Sequence, residues 1–149
     1  MEDKDYMSLA YKLALKARNK DEVPVGAVIV KNGKIISKNY NLRQHKKIST
    51  AHAEILSINK ACKKLKDFRL TGCTIFVTLE PCLMCMGAIL NARIDRLVFG
   101  AKNNKEDVIS CYELAERAGL NHNIKIEQLD ENDKCGTLIS NYFAKKRKK

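Results

Sequence analysis

T-L-E-P-C-L-M-C-M-G-A, residues 78–88, sets two thiols three positions apart directly behind a proline. The run that leads into it, Thr74 to Leu79, is apolar and rich in β-branched side chains, the pattern of a short buried strand. Pro81 suits the first position of a helix, where a missing N–H is no loss, and Cys82 to Ala92 continues as helix. Strand, tight junction and helix in succession mark an α/β chain. Two thiols on the first turn of a helix fit a disulfide, a redox pair or a metal, and the rest of the chain has to choose.

Working outward, residues 4–19 carry Leu9, Leu13, Ala14 and Ala17 at helical spacing. Val25 to Val30 and Ile35 to Tyr40 read as two strands joined by Asn32-Gly33, a strong hairpin signal. Asn41 to Thr50 is polar and reads as loop, and Ala51 to Leu65 returns to helical spacing. Beyond the quoted stretch come a strand over Arg96–Phe99, a helix over Cys111–Ala118 stopped by Gly119, an edge strand over Ile124–Ile126, and a last helix over 131–148. This order predicts a three-layer α-β-α sandwich around a five-stranded mixed sheet. The opening hairpin makes its antiparallel pair, and the later crossovers make parallel neighbours.

The 149 residues suit one domain, 1–149, able to bury a core without crosslinks. No basic-then-apolar leader opens the chain, and no apolar run approaches the roughly 18 residues that span a membrane, so the reading is cytoplasmic. In a reducing compartment the six cysteines point to metal or catalysis rather than to a disulfide framework. Cys62, Cys73, Cys111 and Cys135 lack a partner at useful spacing and read as small core residues. A net charge of +11 suits a polyanionic partner, as does the unbroken basic tail 145–149, although a lysine-rich background gives the same sign and a solvated terminus the same run.

Two strand-to-helix junctions carry reactive groups: T-A-H-A-E-I with His52 and Glu54, and E-P-C-L-M-C with Cys82 and Cys85. Crossover connections bring such junctions to one edge of a sheet. His52 with the two cysteines makes three ligands that suit zinc, and three protein ligands with one open place is the catalytic pattern. Glu54 is the nearest base. On a regular helix residues 52 and 54 point apart, so His52 must sit at the irregular helix start and reach back. C-x-x-C alone also fits a thioredoxin-like redox pair. That motif opens the first long helix after a strand, whereas this one lies past mid-chain with Leu83-Met84 between its thiols.

H-A-E (52–54) followed by P-C-L-M-C (81–85) matches the H-x-E…P-C-x-x-C signature of the zinc-dependent cytidine deaminase-like superfamily. E-V-P-V-G-A-V (22–28), A-H-A-E-I (51–55), T-L-E-P-C-x-M-C-x-G-A (78–88) and R-I-x-R-L-V-F-G-A (93–101) narrow the resemblance to bacterial tRNA-specific adenosine deaminases, over about residues 6–145. The resemblance implies one zinc ion per subunit on His52, Cys82 and Cys85, with Glu54 as proton shuttle. It implies zinc-activated hydroxide that turns adenosine into inosine at the wobble base of a tRNA anticodon stem-loop. The resemblance also places Asn41 and Ala53 at substrate-contacting positions. Asn103, Phe143, Lys145, Lys146 and Arg147 stand where RNA is gripped, and relatives pair as homodimers. The 102–110 loop departs from the family, with Asn103 where an aspartate is common, which leaves the preferred RNA context open. The rival activity is deamination of free guanine or cytosine on the same metal site; the non-enzymatic rival is an RNA-binding protein with a structural zinc.

Overall fold

The computed structural model describes residues 1–103, 107–120 and 122–147. Helix α1 (Asp3–Asn19) is followed by strands β1 (Gly26–Lys31) and β2 (Lys34–Tyr40), then by helices α2 (Arg43–Lys46) and α3 (Ala53–Leu65). Next come β3 (Cys73–Leu79), α4 (Leu83–Asn91), β4 (Arg96–Ala101), α5 (Val108–Arg117) and β5 (Lys125–Gln128). A 3₁₀ turn (Glu131–Asp133) leads into α6 (Lys134–Arg147).

The five strands form one mixed sheet in the order β2-β1-β3-β4-β5. β1 pairs antiparallel with both β2 and β3, whereas β3–β4 and β4–β5 are parallel. Alternation along the central strands splits the core in two, because successive side chains leave a strand on opposite faces. Ala27, Ile29, Ile75, Val77, Leu97 and Phe99 pack with residues of α3, α4 and α5. Val28, Val30, Phe76 and Val98 pack with α1 and with Cys135 of α6. This is the expected three-layer sandwich. Each fully buried large side chain, such as Phe76 or Ile75, contributes about 1.5–3 kcal/mol relative to exposure.

Gly26 sets how closely α1 approaches the sheet. A Cβ there would collide with the Ala10 carbonyl and lie 2.8 Å from Ala14 N. Arg96 ties the far side together: its guanidinium bonds Asp3 of α1 at 3.0 Å and Glu127 of β5 at 2.9 Å.

Several boundaries differ from the sequence reading, each for a local reason. Residues 43–46 are helical where a loop is expected, because a buried carboxylate, Glu22, takes the amides of Gln44 and His45. Helix α3 begins at Ala53 and α4 at Leu83, because His52 and Cys82 hold extended N-cap backbone. Pro81 therefore stands before the cap and not inside the helix. Helix α5 begins three residues early, at Val108, where Asp107 accepts from Ile109 N. Within the last helical stretch, Asn132 takes φ 56°, so the regular helix starts only at Lys134. Among the described residues no disulfide forms, and no helix is long and apolar enough to cross a membrane.

Candidate active site

Strand polarity brings the reactive junctions together. Gly26 at the start of β1 faces Tyr40 at the end of β2, Ala27 pairs with Val77 of β3, and Leu79 pairs with Ala101 of β4. One end of the sheet therefore collects the entry to β1 and the exits of β2, β3 and β4. A cleft of about 180 Å³ opens there, lined by residues that include Val23, Val25, Asn41, Ala53, Glu54 and Asn103.

His52 and Cys82 occupy equivalent places, each the N-cap of the helix that leaves this edge. Extended cap backbone (φ −72°, ψ 155° for His52) breaks the helical angle between residues 52 and 54, so both side chains serve the same cleft. His52 Nδ1 lies 3.7 Å from Cys82 Sγ and 3.5 Å from Cys85 Sγ. Two ligands of a tetrahedral zinc ion, with Zn–N about 2.0–2.1 Å and Zn–S about 2.3 Å, stand about 3.6 Å apart. The three donor atoms lie within 4.8 Å of one another, and the soft N, S, S set suits zinc.

Electrostatics agree with a cation at this point. Hydrogen bonds from Cys85 and His52 pull the Cys82 thiol down to about 4, so it stands as thiolate. The same sulfur, together with burial, pushes the Cys85 thiol up. Without a positive ion the pair keeps one proton; a dication removes the reason to keep it. The Cys82 sulfur also raises the pKa of His52. Glu54 is 3% exposed, and burial pushes its carboxyl up to about 7. Among the described residues its Oε1 is buried without a hydrogen-bond partner, an orphaned acceptor that calls for a ligand.

Two further acids hold the cleft, and the sequence reading gave neither a role. Glu22 takes two amides of α2, and Glu80 accepts from Asn103 N at 2.6 Å and Val108 N at 3.0 Å. Their only sequence signal is their place inside the E-V-P-V-G-A-V and T-L-E-P-C blocks. The other two histidines stand outside the His52–Cys82–Cys85 cluster: His45 binds Glu22, and His122 binds the Ile94 carbonyl.

Asn41 and Ala53 line the cleft, and Asn103 lines both it and a wider groove of about 620 Å³. Leu79, Lys102, Phe143, Lys146 and Arg147 also line that groove. Phe143 stands edge-on to Tyr142, and Lys146 bonds Asp21 at 2.7 Å. Lys145 is exposed and lies outside the groove's lining, and residues 148 and 149 lie outside the described residues.

Residues 1–148 match the model of the MafB19-like deaminase family. The tRNA-specific adenosine deaminase of Bacillus subtilis is 43% identical over 149 residues, spanning 99% of this chain and 92% of its own. The enzyme of that name from Aquifex aeolicus is 41% identical over 95% of this chain and 94% of its own. This chain belongs to the tRNA-specific adenosine deaminase family. A solved structure from a study of A-to-I editing by tRNA:A34 deaminases superposes with a TM-score of 0.80 at 37% identity, covering 87% of this chain and 100% of that one. The guanine deaminase of Bacillus subtilis follows at TM-score 0.67 and 35% identity, over 81% of this chain and 72% of its own. The same fold thus occurs in a structure from work on tRNA:A34 deaminases and in a guanine deaminase.

Proposed function

We infer that this chain is a hydrolytic deaminase that converts adenosine to inosine at the wobble position of tRNA. The observation that carries the chemistry is the juxtaposition of a His52–Cys82–Cys85 cluster with the orphaned Oε1 of Glu54, in a cleft sized for a base. The near-complete matches to tRNA-specific adenosine deaminases support the substrate.

His52, Cys82 and Cys85 would hold one zinc ion, which supplies Lewis acidity that lets water give up a proton near neutral pH. Glu54 takes that proton. Its environment, which disfavours the charged form, makes it ready to pass that proton to ring N1 of adenine and then to relay the second proton of the water, given up by the new C6 hydroxyl, to the departing amino group. The net change breaks the C6–N6 bond, forms a C6–O bond and releases ammonia. Asn41 and Ala53, which line the cleft, orient the nucleoside. The target base must leave its stack to enter, which a single-stranded anticodon loop permits at small cost.

The groove beside the cleft gives the flanking nucleotides a path. Asn103 joins the two, Phe143 offers a stacking face, and Lys102, Lys146 and Arg147 offer charge to phosphates. Exposed Leu83 and Met84 on α4 and Ile109 and Leu114 on α5 support a homodimer of single-domain subunits. A tRNA-modifying role fits the cytoplasm. The test is incubation of the purified protein with an anticodon stem-loop, followed by sequencing for inosine, with free guanine and cytosine as parallel substrates. Inosine at the wobble position supports the assignment; turnover of a free base without inosine in RNA reverses it.

A further inference from the structure

We propose that Glu22 is a positioning residue for the reaction, its carboxylate clamping the 41–46 lip of the cleft against the floor that receives the base. This inference rests on the deaminase reading above. Glu22 lies within the connection between α1 and β1 and is 1% exposed. Its Oε1 accepts from Gln44 N at 3.1 Å, and its Oε2 accepts from His45 N at 2.8 Å and lies 2.7 Å from His45 Nδ1. Among the described residues, every hydrogen bond to this carboxylate therefore comes from one four-residue helix, α2.

Among the described residues the other ties of that helix are the Arg43 amide on Asn41 Oδ1 and the Leu42 amide on the Ala51 carbonyl, both at its start. A single turn is far below the length at which helices hold in water, and none of the four residues is buried. Burial works against the charged form of Glu22, but the bonds from His45 and Gln44 outweigh it and leave the carboxyl below its ordinary pKa. Such a buried anion is costly unless its donors are in place, so the acid and the lip order each other.

The lip is part of the site. Asn41 N donates to Val25 O at 3.1 Å, its Nδ2 donates to Val23 O at 3.3 Å, and its Oδ1 accepts from Arg43 N at 3.2 Å. Val23, Val25, Asn41 and Arg43 all line the cleft. Glu22 adjoins Val23 in the chain and grips the residues that follow Arg43, so it closes a loop of contacts around one wall. No contact with substrate is needed; Glu22 acts through Asn41 and Arg43.

The experiment compares full-length, zinc-loaded wild type with Glu22→Gln, Asn41→Ala and the double variant on an anticodon stem-loop. Glu22→Gln keeps the volume but must turn an NH2 toward one of two N–H donors. It is expected to lower kcat by about tenfold or more with zinc content unchanged, because a misplaced wall spoils orientation. Adding Glu22→Gln to Asn41→Ala should cost little more, since both act through the same lip. His45→Ala removes only the ring arm on a half-exposed residue, guards against a misfolded first variant, and should show a smaller fall of the same kind. Hydrogen exchange at the Gln44 and His45 amides reads the clamp without any activity and should accelerate in Glu22→Gln. Unchanged kcat and exchange, or losses that multiply independently in the double variant, would overturn the proposal. A wild type that forms no inosine would overturn the deaminase reading instead, while the exchange rates still report on the clamp.

Discussion

His52 Nδ1 stands 3.5 Å from Cys85 Sγ although 33 positions separate them in the chain. That gap matches two corners of a tetrahedral zinc site, about 3.6 Å. Protein purified without chelator should carry about one zinc per chain by mass spectrometry of the metal. Cys85→Ser or His52→Ala should cut that stoichiometry severely, and chelation of the wild type should lower its thermal midpoint. Full stoichiometry in both variants would refute this ligand set.

Glu54 sits against the cluster with one carboxylate oxygen lacking a partner. Glu54→Gln keeps size and burial but cannot carry the proton. It is expected to retain zinc and RNA binding while inosine formation falls about 10²–10⁴-fold, the usual worth of a general acid–base group. Turnover near wild type in a single-turnover assay would remove Glu54 from the mechanism.

Gly26 is where α1 comes closest to the sheet. Gly26→Ala drives a methyl into the Ala10 carbonyl and the backbone of Ala14. Rigid backbone cannot yield as a side chain tip would, so a loss of about 1–3 kcal/mol or more is expected by urea unfolding. A neutral result would show that α1 can lift from β1 freely.

Arg96 pulls the Glu127 carboxyl down to about 2 and lowers that of Asp3 as well. A lowered carboxyl stabilises the fold fully above its unfolded value, near 4.5 for Glu127, and loses that effect as the pH falls toward 2. Both acids are more than a third exposed, so screening holds each pair to under about 1 kcal/mol. Arg96→Gln should therefore lower the thermal midpoint at pH 7 by about 2–4 °C. The difference from wild type should shrink below pH 4.5. A gap that widens on acidification would contradict the sign.

Lys146 and Arg147 line the groove beside the cleft, at the start of the basic run. Removing residues 145–149 should weaken stem-loop binding more at low salt than at high, because phosphate contacts release counterions. Equal weakening at all salt concentrations would mean that the tail acts through structure rather than charge.

The amino-acid order alone determined the layers and the candidate donor groups. Alternating apolar strands, the Asn32-Gly33 turn and helical spacing are local signals, and each acts within a few residues, so the three-layer sandwich was legible. So was the candidate grouping of His52, Glu54, Cys82 and Cys85, which the fold brings to one cleft, because imidazole, carboxylate and paired thiols carry their chemistry with them. Helix starts were less legible, since whether Cys82 caps or Pro81 begins a helix depends on the backbone angle at one residue. The roles of Glu22 and Glu80 were not legible at all. Each gains its partners only when strands distant in sequence pack side by side, and a buried carboxylate and a solvated one are spelled with the same letter. Tertiary structure alone decided which amides they hold, and with that the shape of the cleft.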